Sequence, residues 1–307
     1  MGKKDKVVVF GGAGFLGSHV ADALSEASYQ VLIFDIKKSP YLRKDQNQII
    51  GDILDKEQVQ KAICGAKYVY NFAGIADISE ASNKPVDVIK YNVLGHTIIL
   101  NACVSYNVER IFFASSIYVY SNAGSFYRVS KQACELLTET FYERYGLKYT
   151  ILRYGSLYGP RAQMWNGVYR YVYQALIEKR IDHPGTGEEK REYIHVLDAA
   201  RLSVEVLKPD FENESVIITG TQTLTSRELL TMINEMLEGN VKINFQNKNV
   251  EHHYTVTPYT FSPKLGRKLV SSSFVDIGQG ILQVMDEIFR THHREYKKIS
   301  DVYVRED

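Results

Sequence analysis

Val7-Val8-Val9-Phe10-Gly11-Gly12-Ala13-Gly14-Phe15-Leu16-Gly17 is the stretch whose reading decides the fold. Four apolar residues predict a buried strand, and a helical pattern over about 15–27 follows the glycines at once. Gly11, Gly14 and Gly17 make GxxGxxG, and Gly12, Gly14 and Gly17 also make GxGxxG. Between a strand and a helix, one glycine permits a tight turn and one lets the backbone approach a pyrophosphate. The third lets helix pack on strand. The helix N-terminus then offers free N–H groups to phosphate. A bare GxGxxG carries little weight; its place between strand and helix gives it meaning.

Outward from this turn the same alternation repeats. Apolar runs at Val31–Phe34, Ile49–Ile50, Tyr68–Phe72, Ile111–Ala114 and Tyr149–Leu152 predict strands. Helical spacing over about 56–64, 86–105 and 128–145 lies between them. Strands that are apolar throughout, joined by helices, imply a parallel sheet covered on both faces. The class is therefore α/β with a doubly wound sheet. After residue 155 the regularity fades. Glycines and prolines punctuate 155–190, an amphipathic stretch lies near 197–207, and one more strand is expected at Val216–Thr219. Helical patterns follow at 227–238 and 277–291. The expected division is a dinucleotide-binding domain, 1–158 and 192–226, with a smaller, mainly C-terminal substrate domain, 159–191 and 227–307.

Composition bounds the function. In 307 residues, 37 Lys and Arg against 36 Asp and Glu leave a net charge of +1. Such balance gives no reason to expect nucleic acid as a partner. No window approaches the ~18 unbroken apolar residues of a membrane span. MGKKDK followed by VVVFGG lacks the apolar core and cleavage site of a signal peptide. Cys64, Cys103 and Cys134 form neither a disulfide framework nor a zinc pattern. A cytoplasmic protein is expected. His252-His253 and His292-His293 are adjacent pairs whose side chains diverge, so no metal is assigned. His195 is expected to be structural, and Trp165, Tyr169, Tyr171 and Tyr173 to be packing. The 22 Tyr are unusual, but a count says nothing about chemistry.

Position does. Tyr127-Arg128-Val129-Ser130-Lys131 is the only YxxxK in the chain, and it opens a predicted helix just after a strand end. At i, i+4 both side chains share a helix face. An ammonium there is expected to lower the phenol below its reference of about 10 and make Tyr127 an acid or base near neutral pH. Ser115 and Ser116 end the preceding strand, where a hydroxyl can steady a forming carbonyl. Asp35 ends the second strand, 18 residues after Gly17. A carboxylate there accepts from a ribose 2′-hydroxyl and repels a 2′-phosphate, which favours NAD over NADP. Lys37 and Lys38 pull the other way.

Together these residues resemble the extended short-chain dehydrogenase/reductase family, especially its nucleotide-sugar epimerase/dehydratase branch of the UDP-galactose 4-epimerase type. The resemblance spans about residues 7–290. It includes Gly51-Asp52-Ile53, Asn71-Phe72-Ala73-Gly74 and Asn92-Val93-Leu94-Gly95. It continues through Ser115-Ser116-Ile117-Tyr118-Val119-Tyr120, Arg153 to Arg161, and Lys190 to Asp198. It implies a Rossmann fold, NAD, a nucleotide-diphosphate sugar as substrate and a homodimer formed through helices at about 86–105 and 128–145. It implies Ser116, Tyr127 and Lys131 as the catalytic residues. It implies Gly11, Gly14, Phe15, Leu16, Gly17, Asp35, Ile36, Asp52, Ile53, Phe72, Ala73, Gly74, Ala76, Asn92, Tyr127, Lys131 and Tyr154 at the cofactor. Ser116, Tyr118, Ser156, Arg161 and Arg191 are implied at the substrate, the arginines on its diphosphate.

Departures from the family pattern bear on substrate. Only ten residues separate Ser116 from Tyr127, about half the usual connection. Ser156 replaces an Asn, and Ala76 stands where some relatives have a Lys. Ile117-Tyr118 stands where sugar 4,6-dehydratases carry an acidic pair or a Glu, so dehydration lacks its expected acid and base. The leading expectation is epimerisation at C4 through a transient 4-keto intermediate. A nucleotide-sugar 4-dehydrogenase or 4-ketoreductase, NAD(P)-dependent, shares every one of these residues. A 4,6-dehydratase is less favoured, and a non-catalytic NAD-binding sensor is the alternative from another class.

Overall fold

Val7 to Phe10 lie in an interior strand of the sheet, and their alternation builds two cores. Val7 and Val9 face one side with Val20, Leu24, Val31 and Ile33; Val8 and Phe10 face the other with Phe34, Ile63, Ile99 and Ile111. A strand buried on both faces has no place for the polar alternation of a surface strand. The computed structural model describes residues 4–221, 223–246, 248 and 253–258. The expected helix at 277–291, His252 and the His292-His293 pair lie outside these residues.

The strands are β1 (Lys6–Phe10), β2 (Gln30–Asp35), β3 (Asn47–Ile50), β4 (Tyr68–Asn71), β5 (Arg110–Ser116) and β6 (Lys148–Tyr154). They continue with β7 (Ser156–Tyr158), β8 (Arg180–His183), β9 (Lys190–His195), β10 (Glu214–Ile218), β11 (Thr223–Thr225) and β12 (Lys242–Phe245). The main sheet has seven parallel strands in the order β10-β6-β5-β4-β1-β2-β3. The order reverses at β1, and ligands of such sheets bind beyond the strand C-termini at this crevice. Each strand of the sheet was predicted from its apolar run.

The helices begin with α1 (Phe15–Glu26), α2 (Lys56–Ile63), α3 (Ile78–Asn83), α4 (Pro85–Val88) and α5 (Gly95–Ser105). They end with α6 (Ser125–Tyr145), α7 (Gly167–Tyr173), α8 (Val196–Glu205) and α9 (Ser226–Met236). The helix expected over 86–105 is α4 and α5 joined by a π-helical stretch, Ile89–Leu94. Such a widened turn changes side-chain direction, and here it carries Asn92. Helix α6 starts three residues earlier than expected because Gly124 takes the left-handed conformation, φ 99°, and turns the chain into it.

Beyond residue 155 the structure adds what the sequence did not show. β7, β9 and β11 form a three-stranded sheet, and β8 pairs with β12. A separate apolar cluster joins α7, the π-helical turn Gln174–Glu178 after it, α9 and strands β8, β9 and β12 through Tyr171, Ala175, Ile181, Leu230 and Ile233, with Tyr193 and Ile243 against it. The loop after β8 is tied by Glu189, which accepts from His183 Nε2 at 3.0 Å and from the amides of Thr186 and Gly187. Burial alone would raise this carboxyl; the hydrogen bonds from His183 and the backbone outweigh it and hold it at about 2. A depressed carboxyl stabilises the fold above its unfolded value and loses that contribution as pH falls through the folded one. Glu189→Gln is therefore expected to flatten the loss of stability between about pH 4.5 and about pH 2, read by thermal melts across that range.

The glycine turn explains its own composition. Gly11 has φ 75°, and a Cβ on Gly17 would stand 2.3 Å from the Gly11 carbonyl oxygen. Helix α1 therefore lies on the turn with no room for a methyl group. Gly17→Ala is expected to cost about 1–3 kcal/mol of stability and to weaken NAD binding, measured by melting and by titration.

Candidate active site

Strand β5 delivers Ser115 and Ser116 to the carboxyl edge of the sheet, and pleating sends them to opposite faces. Ser115 donates to Glu135 of α6 at 2.5 Å, and Glu135 also holds Arg153 of β6 through both oxygens, at 3.0 and 2.7 Å. Ser115 is thus committed to scaffolding. Ser116 caps a short 3₁₀ turn, Ile117–Tyr120, accepting from the Tyr118 amide at 3.3 Å.

Tyr127 and Lys131, one turn apart on α6, are both buried. Lys131 Nζ donates to the Ala114 carbonyl at 2.7 Å, lies 4.9 Å from the Phe113 ring centre and 5.6 Å from that of Tyr127. Burial lowers the ammonium to about 8, against the raising effect of Cys134 and Glu135. Burial pushes the Tyr127 phenol up to about 12, and a hydrogen bond with Ser116 works against the rise. The lowered phenol expected from the sequence is therefore not found among the protein groups. Spacing placed Lys131 beside Tyr127, but desolvation of the phenolate exceeds what the lysine offers across that ring.

Two buried chains fix the loop between β4 and α3. Thr138, His96 and Asn71 are hydrogen-bonded in sequence at 2.9 Å each, and Asn71 accepts from the Ala73 amide at 3.0 Å. Burial and the Lys131 charge lower His96 to about 3, so it stays neutral as a connector. Asn92 accepts from the Ile75 amide and donates to the Ile75 carbonyl and to Ser130. A Cβ on Gly74, φ 141°, would lie 2.6 Å from the Asn92 Oδ1. Asn92 is thus a clasp on the loop rather than a free ligand.

Residues 7–218 match the description "NAD dependent epimerase/dehydratase family". The chain belongs to this family. A putative UDP-glucose 4-epimerase of Methanocaldococcus jannaschii is 30% identical over 71% of this chain and 78% of its own. A UDP-N-acetyl-alpha-D-glucosaminuronate decarboxylase of Bacillus cytotoxicus is 27% identical over 78% of this chain and 83% of its own. The structure of Thermus thermophilus UDP-glucose 4-epimerase in complex with NAD superposes with a TM-score of 0.74 at 25% identity, covering 85% of this chain and 95% of that one.

As an NAD-dependent member of the epimerase/dehydratase family, the chain has residues that fit this cofactor. The first turn of α1 has no capping side chain and no acid, so its amides are left for an anion. A Cβ on Gly14 would meet only the Gly11 carbonyl oxygen, at 3.2 Å, so the outer side of the turn is open. Asp35 accepts from the amides of Ala13 and Lys37, at 3.0 and 3.1 Å, and its oxygens keep lone pairs for ribose hydroxyls. Ile36 and Ala76 are exposed, Asp52, Phe72 and Ala73 are half-buried, and Leu16, also half-buried, packs against the apolar cluster of Phe15, Ala162 and Val196.

Other expected ligands of this family turn inward. Phe15 packs with Ala162 and Val196, and Ile53 is buried in the main core, where a Cβ on Gly95 would come within 2.5 Å of it. Tyr154 is bonded to Ser203 in the core at 2.6 Å, which leaves only its backbone to face a cofactor. Arg161 pairs with Asp22 of α1 at 2.8 Å and lies over Tyr41, so it is engaged on the dinucleotide side. His195 caps α8, as its structural reading required.

The segment 253–258 supplies what the sequence reading missed. Tyr254 lies 4.6 Å from the Tyr118 ring, the Arg191 guanidinium lies 4.2 Å over Tyr254, and Ser156 reaches the Tyr254 hydroxyl at 3.4 Å. Tyr118 bonds His253 at 2.7 Å and meets the Tyr127 ring edge-on at 6.2 Å. Tyr118, Ser156 and Arg191 are thus gathered near Tyr127 by residues about a hundred positions downstream of Ser156. No sequence signal marks such a long-range contact.

Proposed function

We propose that this chain is an NAD-dependent nucleotide-sugar epimerase acting at C4, with Ser116, Tyr127 and Lys131 as its catalytic residues. The observation that carries the proposal is the buried Tyr127 on α6, one turn from Lys131, with Ser116 at the β5 carboxyl end acting to lower its phenol. NAD, when bound, would supply the hydride acceptor and donor. As the phenolate, Tyr127 Oη takes the proton of the substrate hydroxyl and becomes the neutral phenol; the reverse step gives that proton back. Ser116 Oγ holds the substrate oxygen as it becomes a carbonyl, and the Lys131 ammonium stabilises the phenolate before it takes the proton. Arg191 holds the diphosphate, in exchange for its contact with Tyr254. Residues 159–191 and 227–307, with segment 253–258, form the substrate side; 1–158 and 192–226 form the cofactor side.

The proposed assembly is a homodimer, supported by exposed Ile89, Leu94, Val129 and Leu136 on the π-helical stretch and α6. The unpaired cysteines and the lack, among the described residues, of a helix able to cross a membrane accord with a cytoplasmic location.

Incubation with UDP-hexoses, followed by NMR of the sugar, tests the reaction. Interconversion of C4 epimers without accumulating reduced cofactor supports it. Reduced cofactor formed in proportion to a keto product would replace it with a dehydrogenase. Activity is expected to fall above about pH 8, because Lys131 must carry its proton and burial lowers it to about that value. A kcat profile flat to pH 10 would remove the lysine charge from the mechanism.

A further inference from the structure

The ten residues between Ser116 and Tyr127 are folded in: of Ile117–Phe126 only Asn122 and Phe126 are exposed. The 3₁₀ turn Ile117–Tyr120 starts on the Ser116 hydroxyl, which accepts from the Tyr118 amide, and ends with the Ser121 amide on the Tyr118 carbonyl at 2.9 Å. Tyr120 accepts from Arg153 of β6 at 2.5 Å. Two carbonyls of the connection are answered from the other side. Gln132 Nε2 donates to the Val119 oxygen at 2.8 Å, and Arg128 Nη1 donates to the Ser121 oxygen at 2.9 Å. Both donors stand on α6, the helix that carries Tyr127 and Lys131. The helix thus presents two i, i+4 pairs offset by one residue, and the second pair grips the turn that begins at Ser116. There is little slack where the chain enters α6. A Cβ on Gly124, φ 99°, would lie 2.8 Å from the Tyr118 ring and 2.9 Å from the Arg128 Cβ.

We propose that Arg128 and Gln132 are positioning residues, which fix the turn beginning at Ser116 to the helix that carries Tyr127 and so set the place of the Ser116 hydroxyl relative to the Tyr127 phenol. This rests on the roles proposed above for Ser116 and Tyr127. Neither residue belongs to the YxxxK pattern. Ser116 ends a strand and Tyr127 stands on a helix, so their separation depends on whatever joins the two elements. Ser116 acts to lower the Tyr127 phenol, an effect that requires the two groups to stay close. The Arg128 Nε is buried and, among the described residues, has no hydrogen-bond partner. A buried donor left unanswered costs stability, so this guanidinium is held in place for the bond at its other end. A misplacement of about 1 Å in a reacting group can cost on the order of a hundredfold in rate, which sets the scale of what such a tie protects.

The test compares full-length wild type with Gln132→Leu, Arg128→Met and the double variant. It reads C4 turnover of UDP-hexoses, and amide hydrogen exchange by mass spectrometry. Each single change is expected to lower kcat about tenfold and the double change about a hundredfold, with KM within about twofold, because a displaced hydroxyl weakens the chemical step rather than substrate binding. Arg128→Lys keeps a charged donor for the Ser121 oxygen and is expected to recover about half or more of wild-type kcat. Exchange in peptide 117–124 is expected to quicken on the order of tenfold in the variants, with the part of α6 beyond Glu135 unchanged. Wild-type kcat in the double variant overturns the proposal, as does a loss carried by KM or exchange that quickens equally along α6. Gln132→Leu alone carries the test should the double variant not fold. Wild type without C4 turnover sinks the epimerase and leaves the tie to the exchange readout, where an unchanged peptide 117–124 overturns it.

Discussion

Tyr127→Phe is expected to lower kcat by about 10²–10⁴-fold, with the melting temperature close to wild type. The variant removes one oxygen from a buried ring. That oxygen interacts with Ser116 and is the one proposed to take the substrate proton. Its loss from the folded state forfeits at most one hydrogen bond, worth about 1 kcal/mol. The two readouts therefore separate chemistry from stability. A kcat within about tenfold of wild type would remove Tyr127 from proton transfer. The phenol stands at about 12 because burial outweighs its bond to Ser116. The phenolate that takes the substrate proton therefore forms only with positive charge beside it, and the nearby Lys131 ammonium is part of that environment.

Arg110→Met is expected to destabilise the fold by about 3–5 kcal/mol, a fall in melting temperature of roughly 10 °C. Arg110 opens β5 and is 1% exposed. Its guanidinium donates to the carbonyls of Val206, Leu207 and Lys208 at 3.1–3.2 Å and to Glu212 at 2.9 Å. It thus satisfies the carbonyls of the turn that follows α8 and complements the helix dipole. Methionine fills the aliphatic volume and answers none of those oxygens. Lys148 also reaches Glu212, at 2.8 Å, but is 43% exposed, so Lys148→Ala is expected to shift stability by no more than about 1 kcal/mol. Equal shifts for the two variants would show that burial does not set the value of the Arg110 contacts. Because Arg110 lies at the opposite end of β5 from Ser116, residual activity per folded molecule is expected to stay near wild type.

The fold was legible because its signals are local. A doubly covered strand needs an apolar run, a cofactor turn needs glycines where backbone meets backbone, and both features lie within ten neighbouring residues. Each strand of the main sheet and the helices α1, α2, α6, α8 and α9 followed from such patterns. The three-residue strands β7 and β11 did not, because a strand that short has no period to detect. Asn92, Tyr154 and Arg161 sit in recognisable motifs, yet their side chains bind Ile75, Ser203 and Asp22. A motif records residue type and place along the chain, whereas the direction of a side chain is settled by its neighbours.

By itself the sequence determined the sheet, the cofactor turn and the candidate catalytic Ser116, Tyr127 and Lys131, whose spacing along β5 and α6 is set by strand pleat and helix pitch. Only the tertiary structure decided their electrostatics and their surroundings. Burial moved Tyr127 up and Lys131 down, opposite to the shift in Tyr127 that spacing suggested, because desolvation depends on everything packed around a charge. Folding also brought His253 and Tyr254 to Tyr118 across more than 130 residues, a contact fixed by shape and not by any local pattern.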